Sequence, residues 1–359
     1  MATRNPNFLY ADYVRVLATL AVILLHCAGD LLYRFDLKNM NLSYWWTGNV
    51  YDSSVRWCVP MFILLSGALL LRPAKEETIP DFLKKRMMRV LVPYLFWSLI
   101  YVLYTNRGQI ENFQIPYWPD VFYKIFFEDV YYHLWFIPMI LGLYFLTPVF
   151  RVFVRHATRY EIEYFLIFWF YVSTLQIYFS QFFVIKFLGW LAYIGYLVLG
   201  DYLHTFEISK KNTTLIYRTA WLSLAITIWG TWQLSAYFGV FSGELYQYLS
   251  PNIIFMAVGI FLAFKNYDWE SFNARNPRFH AAIKWLSNIS FGIYLLHVLL
   301  IDVFKNAYLF HIKNTSEYFF NQPIHPIIGA LFFTFLVTSL SVLIIYILNK
   351  IPYLEKIVK

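Results

Sequence analysis

Arg15 and His26 are the residues of the first apolar stretch whose types could do chemistry. They stand 11 residues apart, close to three helical turns, so a helix would place both on one face with Asp12 and Asp30. The stretch, residues 11–32, is long enough to cross a membrane. An ionisable side chain inside a membrane is costly and usually marks a functional site. This polar stripe therefore predicts a function beyond membrane anchoring.

Depth along the apolar stretches separates the candidate residues into two groups. His26 lies about 16 Å beyond Arg15 along the helix axis, at about 1.5 Å per residue. Three further groups fall at the depth of His26: His133, His297 and Asp302. A histidine in a partly dry cavity suits general-base catalysis, because its unperturbed pKa is near neutrality. Asp30, one turn beyond His26, is the candidate to orient its imidazole.

The second group is basic and lies towards the side of Arg15. Arg72, Arg86 and Arg89 suit a phosphorylated ligand, because a guanidinium group binds phosphate through two hydrogen bonds. Simpler alternatives are that these three only follow the charge bias of membrane proteins, that Arg15 snorkels to the headgroups, and that His26 is a packing residue. No local spacing of the H-x-x-x-H type occurs, so no metal is expected.

Composition predicts an all-α, polytopic membrane helix bundle. The 359 residues are 60% hydrophobic and 14% charged, with a mean hydropathy of +0.51, whereas a soluble domain is about a quarter charged. We expect one integral-membrane domain over residues 1–359. About ten stretches are long enough, or nearly so, to span: 11–32, 55–71, 88–105, 133–153, 162–179, 183–203, 216–238, 251–265, 285–304 and 326–348.

The basic residues predict the orientation of the bundle. With an even number of spans and the N-terminus inside, most of the 29 Lys and Arg residues lie in the inner segments. The positive-inside rule then places both termini in the cytoplasm. This bias explains the net charge of +8, so the charge does not require a nucleic-acid partner.

Five motifs follow one another along the chain: Asp12-x-x-Arg15-x10-His26, Phe62-x3-Ser66-Gly67 followed by Arg72, Arg86-x-x-Arg89 leading to Pro93-Tyr94, His133-Leu-Trp135-Phe136, and Ser290-Phe-Gly292-Ile-Tyr294-x-x-His297. Through these motifs nearly the whole chain resembles the membrane acyltransferase-3 family. The resemblance is to the branch that O-acetylates bacterial surface polysaccharides.

The resemblance implies a multi-pass O-acetyltransferase of the bacterial cytoplasmic (inner) membrane. Acetyl-CoA, or another acyl-CoA, would be the cytoplasmic donor, and a sugar hydroxyl of a surface glycan or its lipid-linked precursor the acceptor. Arg15, Arg86 and Arg89 would hold the phosphates of CoA, with help from Arg72. His26 would act as general base or transient acyl carrier. The cavity would be lined by Ser66, His133, Trp135, Tyr294 and His297.

A transporter or glycan flippase is the alternative, because polar residues on membrane helices also mark transport pathways. Transporters often show paired repeats with broken helices, and no such pairing is visible in this sequence. The motifs specify neither the acceptor sugar nor the oligomeric state. They also do not distinguish direct transfer of the acetyl group from transfer through an acetyl-histidine intermediate.

Overall fold

The computed structural model describes residues 8–108, 117–179, 189–307, 310–313, 316–319 and 322–358. These residues form an α-helical bundle with one small sheet. The α-helices are α1 Tyr10–Ala28, α2 Leu42–Val55, α3 Cys58–Leu70, α4 Ile79–Thr105, α5 Trp118–Phe127, α6 Phe136–His156, α7 Arg159–Tyr178, α8 Ile194–Thr205, α9 Lys210–Phe238, α10 Pro251–Lys265, α11 Trp269–Arg275, α12 Pro277–Asn306, α13 Pro326–Leu348 and α14 Glu355–Val358. Short 3-10 helices cover Gly29–Arg34, Trp190–Tyr193 and Glu244–Tyr246. Strands β1 Phe310–Lys313, β2 Ser316–Phe319 and β3 Gln322–Ile324 form an antiparallel sheet in the order β1-β2-β3.

The chain is a polytopic helical membrane protein. Within the described residues, seven helical segments are long and apolar enough to cross a membrane: Tyr10–Arg34, Leu42–Leu70, Ile79–Thr105, Phe136–His156, Glu244–Lys265, Pro277–Asn306 and Pro326–Leu348. Two further predicted spans form the helices α7 and α9, whose tyrosines and charged first turns lower their mean hydropathy. The predicted span 183–203 begins outside the described residues, and α8 covers its second half. The count of ten and the orientation of the termini stay predictions.

Helix α1 lies inside the bundle. It packs against α2, α3, α12 and α13, and its buried residues include the charged Asp12 as well as Ala18 and Ile23. Helices on several sides explain why α1 tolerates polar residues that lipid could not satisfy. The polar stripe predicted from the sequence therefore faces other helices.

Two glycines bring α3 and α8 into contact backbone to backbone. A Cβ at Gly67 would lie 1.8 Å from the carbonyl oxygen of Leu197, and one at Gly200 would lie 1.9 Å from that of Leu64. Small residues at a membrane helix interface allow such close approach. The contact fixes α3, which carries Ser66, in the centre of the bundle.

A buried ion pair lies where α2 ends and α3 begins. Arg56 donates from Nη2 to Asp52 at 2.8 Å and also contacts it through Nε. The guanidinium carbon lies 4.3 Å from the centre of the Tyr246 ring. Pairing and the aromatic face together offset the cost of burying the charge at this break.

The segment α14 packs against the other side of α12. It contacts α4, α12 and α13, and the Trp97 indole N–H donates to the carbonyl of Ile357 at 3.1 Å. A Cβ at Gly292 would lie 2.5 Å from the carbonyl oxygen of Val358. Glycine at position 292 is therefore what lets this last turn lie against α12.

Gly200→Ala is expected to destabilise the protein, because the added methyl group would overlap the carbonyl of Leu64. Overpacking of this kind costs about 1–3 kcal/mol, measurable as a lower thermal unfolding midpoint in detergent. Gly243→Ala is the matched control, since a Cβ there would meet Phe241 at 3.6 Å, an ordinary contact distance. Equal midpoints for the two variants would contradict the backbone contact.

Candidate active site

Two adjoining cavities lead into the bundle from the end where α1 begins. The larger, which we call the entrance cavity, has a volume of about 1130 Å³. The smaller, the inner cavity, has about 400 Å³ and lies between α1, α3, α4, α6 and α12. Leu69 and Arg86 line both cavities. The two cavities therefore adjoin at these two side chains.

The entrance cavity is lined by cations and aromatic rings. Lys75, Lys85 and Lys265 contribute positive charge. His204 also lines it, stacked on Phe8 with ring centres 4.3 Å apart. Burial, with the nearby Lys265 ammonium, lowers the pKa of His204 to about 4, so this imidazole is neutral at pH 7. The charge of the cavity comes from lysine and arginine, opposed by a few acidic side chains.

Arg15 is held across the interior of the bundle. Its Nη1 donates to Ser287 on α12 at 2.8 Å and lies 3.6 Å from Asp12, and the Ser287 hydroxyl donates to Asp12 at 2.7 Å. The side chain lines the inner cavity. Arg15 therefore points towards α12. The snorkelling alternative would require it to point along the lipid surface, so the structure argues against that alternative.

Arg86 and Arg89 bring uncompensated positive charge to the inner cavity. Among the described residues, no carboxylate oxygen lies within ion-pair distance of either guanidinium group. The Nε of Arg86 is buried and has no hydrogen-bond partner there. Because an unsatisfied buried donor is costly, this arrangement favours an anionic ligand.

Arg72 lines the entrance cavity, as a ligand-binding residue should, but the structure gives it a structural partner. Its Nε donates to both carboxylate oxygens of Asp201, at 3.0 and 3.2 Å, and its Nη2 donates to the carbonyl of Val154 at 2.6 Å. Asp201 is fully buried. The geometry accounts for Arg72 as a clamp that joins the end of α3 to α6 and α8.

Tyr144 is a cavity residue that belongs to none of the five sequence motifs. It lines the inner cavity on α6 and interacts with the three guanidinium groups of the cavity and with the Ser66 hydroxyl. Phe136, Ile140 and Tyr144 all line the cavity, at a spacing of four residues. Extending the His133-Leu-Trp-Phe136 motif by this helical spacing would have found Tyr144.

Three histidines from separate parts of the chain meet beyond the inner cavity. The His297 ring lies between the other two, with ring centres 5.4 Å from His26 and 5.5 Å from His133. Tyr294 lines the inner cavity and packs against His133 and His297 at 5.6 and 5.8 Å. The Tyr294 hydroxyl donates to the backbone carbonyl of His133. Tyr294 thus connects the inner cavity to what we call the histidine cluster.

The two acidic residues near the histidine cluster, Asp30 and Asp302, bind residues other than His26, the predicted partner of Asp30. Asp30 accepts a hydrogen bond from Lys305 at 2.5 Å, and Asp302 accepts one from the Tyr131 hydroxyl. Among the described residues, no hydrogen bond joins Asp30 to His26. The expected orientation of the imidazole by Asp30 is therefore absent from this arrangement, because the ammonium of Lys305 competes for the same carboxylate.

Trp135 lies beside the cluster rather than in it. Its ring stacks on Tyr248 at 5.7 Å and packs near Tyr193 at 5.9 Å, on the side of the buried Arg56–Asp52 pair. Phe136 packs near both Trp135 and Tyr294. In the part of the chain that the structure describes, no group of three His, Cys, Asp or Glu side chains has a metal-binding arrangement.

Comparison with known proteins identifies one family. The model of the acyltransferase 3 family, described as an acyltransferase domain, matches residues 8–346. The match contains the arginines of the inner cavity and all members of the histidine cluster. No match is found among curated proteins or among solved structures.

Asp201→Leu is expected to destabilise the protein, because it leaves the guanidinium of Arg72 unpaired. We expect a loss of about 2 kcal/mol, less than for a fully buried pair, since the Arg72 side chain is 34% exposed. The double variant Arg72→Met/Asp201→Leu removes both charges and should recover most of the loss, measured by thermal unfolding. A double variant no more stable than Asp201→Leu would contradict the structural role.

Proposed function

Because the chain belongs to the acyltransferase 3 family and is a membrane acyltransferase, we propose that it transfers an acetyl group from acetyl-CoA to a sugar hydroxyl. The acceptor is a surface glycan or its lipid-linked precursor, and the protein resides in a bacterial cytoplasmic membrane. Membership in an enzyme family leaves the transporter or flippase alternative without support.

One observation carries this proposal: an arginine-rich cavity lies next to the histidine cluster. The entrance cavity shares Leu69 and Arg86 with the inner cavity, and Tyr294, which lines the inner cavity, packs against two of the histidines. A donor with a charged head and a long, narrow arm fits this succession of cavities. Acetyl-CoA has this shape, with phosphates at one end and the thioester at the other.

The arginines of the inner cavity would bind the phosphates of CoA. Arg86 and Arg89 have no carboxylate partner among the described residues, so a polyanion would supply the missing charge. Arg15, fixed by Ser287, would contribute a third guanidinium group. Phosphate accepts two parallel N–H hydrogen bonds from each guanidinium group, which favours a phosphorylated donor over a neutral thioester.

The acceptor would reach His26 from the opposite end of the bundle. His26 is only partly buried, and Tyr132, whose ring packs edge-on against it at 5.2 Å, is half exposed. The positive-inside rule places the arginine end in the cytoplasm. Donor and acceptor would therefore meet at His26 from opposite sides of the membrane, as modification of a surface glycan requires.

In the direct reaction, His26 removes the proton of the acceptor hydroxyl while its oxygen attacks the thioester carbonyl. The C–O bond forms, the C–S bond breaks, and the proton returns to the departing thiolate. The hydroxyls of Ser66 and Tyr294 donate to backbone carbonyls. Both ring nitrogens of His133 lack a hydrogen-bond partner among the described residues. An N–H of His133 would therefore be free to donate to the oxyanion.

Arg86→Gln and Arg89→Gln are each expected to weaken acetyl-CoA binding about tenfold, because each removes a charge-assisted hydrogen bond to phosphate. Calorimetric titration of the detergent-purified protein measures this. Lys84→Gln is the matched control: it neutralises an exposed cation of the same helix that lines neither cavity. If the two arginine variants bound acetyl-CoA as tightly as Lys84→Gln does, the assigned phosphate site would be refuted.

His26→Ala is expected to abolish acetyl-CoA turnover, with a rate at least about 100-fold below wild type, while donor binding persists. Release of free CoA thiol reports the turnover. His156→Ala removes an exposed histidine at the other end of the bundle and should retain the wild-type rate. Unchanged CoA release in His26→Ala would remove His26 from the chemistry.

A further inference from the structure

His297 holds its proton on one defined nitrogen. Its Nδ1 lies 2.6 Å from the carbonyl oxygen of Tyr294, and because a carbonyl only accepts, Nδ1 carries the hydrogen. The neutral ring then has its lone pair on Nε2. That atom is fully buried and has no hydrogen-bond partner among the described residues. The fold therefore presents a fixed, unused acceptor inside the histidine cluster.

His26 lacks the partner that a catalytic histidine ordinarily has. A general base needs its other ring nitrogen held by an acceptor that sets the tautomer. Asp30 is bound by Lys305 instead, and the described residues form no hydrogen bond to either ring nitrogen of His26. His297 is the neighbouring group that has an acceptor to offer.

The distance between the two rings allows that hydrogen bond. The centres of His26 and His297 are 5.4 Å apart, with 36° between their planes. Each ring nitrogen lies about 1.2 Å from its ring centre, so the shortest nitrogen–nitrogen distance that these centres allow is about 3 Å, a normal hydrogen-bond length.

On the basis of the proposed function, we propose that His297 is the positioning residue of His26. Its Nε2 accepts the N–H of the His26 ring and so directs the lone pair of the other His26 nitrogen at the acceptor hydroxyl. When His26 takes the hydroxyl proton, its first proton moves towards His297 Nε2. After the C–S bond breaks, this proton shift reverses and the thiolate receives the hydroxyl proton.

The groups around His297 distinguish this pair from a histidine–carboxylate pair. Besides His26 on α1, the rings that face it are those of His133, which precedes α6, and Tyr294 on its own helix. Lys305 and Arg56 act on His26 electrostatically. With a neutral histidine as partner, His26 and His297 must both be unprotonated for activity. The logarithm of kcat/KM should then fall with a slope approaching two on the acid side.

His297→Gln tests the proposal, because a glutamine amide oxygen can accept the His26 N–H but takes up no proton at these pH values. We expect it to keep activity within about tenfold of wild type and to reduce the acid slope of CoA release from two to one. His297→Leu, of similar volume, should bind acetyl-CoA normally and lose about 100-fold in kcat. His133→Gln, which alters a different member of the cluster, should slow the reaction and keep the slope at two.

A slope of two in His297→Gln, or equal rates in the Gln and Leu variants, would overturn the assigned role of His297 and leave the acyltransferase proposal standing. Absence of CoA release and of acetyl-CoA binding in the wild-type protein would overturn both. The measurement on the wild-type protein thus distinguishes failure of the His297 proposal from failure of the acyltransferase proposal.

Discussion

Lipid offers no hydrogen bonds, and this constraint decides how α1 is built into the protein. Each polar group on α1 must find its partner within the bundle. At one end, Arg15 and Asp12 meet through Ser287 of α12. At the other end, His26 meets the ring of His297, again on α12. The pairing of α1 with α12 therefore sets both the position of the bundle's central helix and the chemistry available along it.

The same pairing separates the guanidinium groups from the imidazoles. Arg15, Arg86 and Arg89 line the inner cavity, whereas the three histidines meet beyond it. The cations near the histidine cluster, Arg56 and Lys305, are paired with Asp52 and Asp30, so the inner cavity is the stronger site for a polyanion. In the proposed transfer, this division would keep the thioester away from the hydrated cations, where water would consume it.

The sequence predicted which candidate side chains lie together better than it predicted their hydrogen-bond partners. Depth along the apolar stretches and the order of the motifs were enough to group His26, His133 and His297, since helix geometry alone relates residue number to depth. The partners of Arg72 and Asp30 depend on which helices pack side by side, and no local pattern encodes that. Asp201, which binds Arg72, is 129 residues away along the chain. Strands β1, β2 and β3 likewise lie outside every apolar stretch, so hydropathy did not predict them.

The contact between Gly292 and Val358 has a consequence for how the protein is made. Helix α12 carries Tyr294 and His297, yet it is braced from behind by a turn that leaves the ribosome about 60 residues later, several seconds at ordinary elongation rates. By the time Val358 is synthesised, every membrane helix described here has already been made. The contact of α14 with α12 therefore forms only after α13 has been synthesised, so that this support of α12 is a late contact of the described fold.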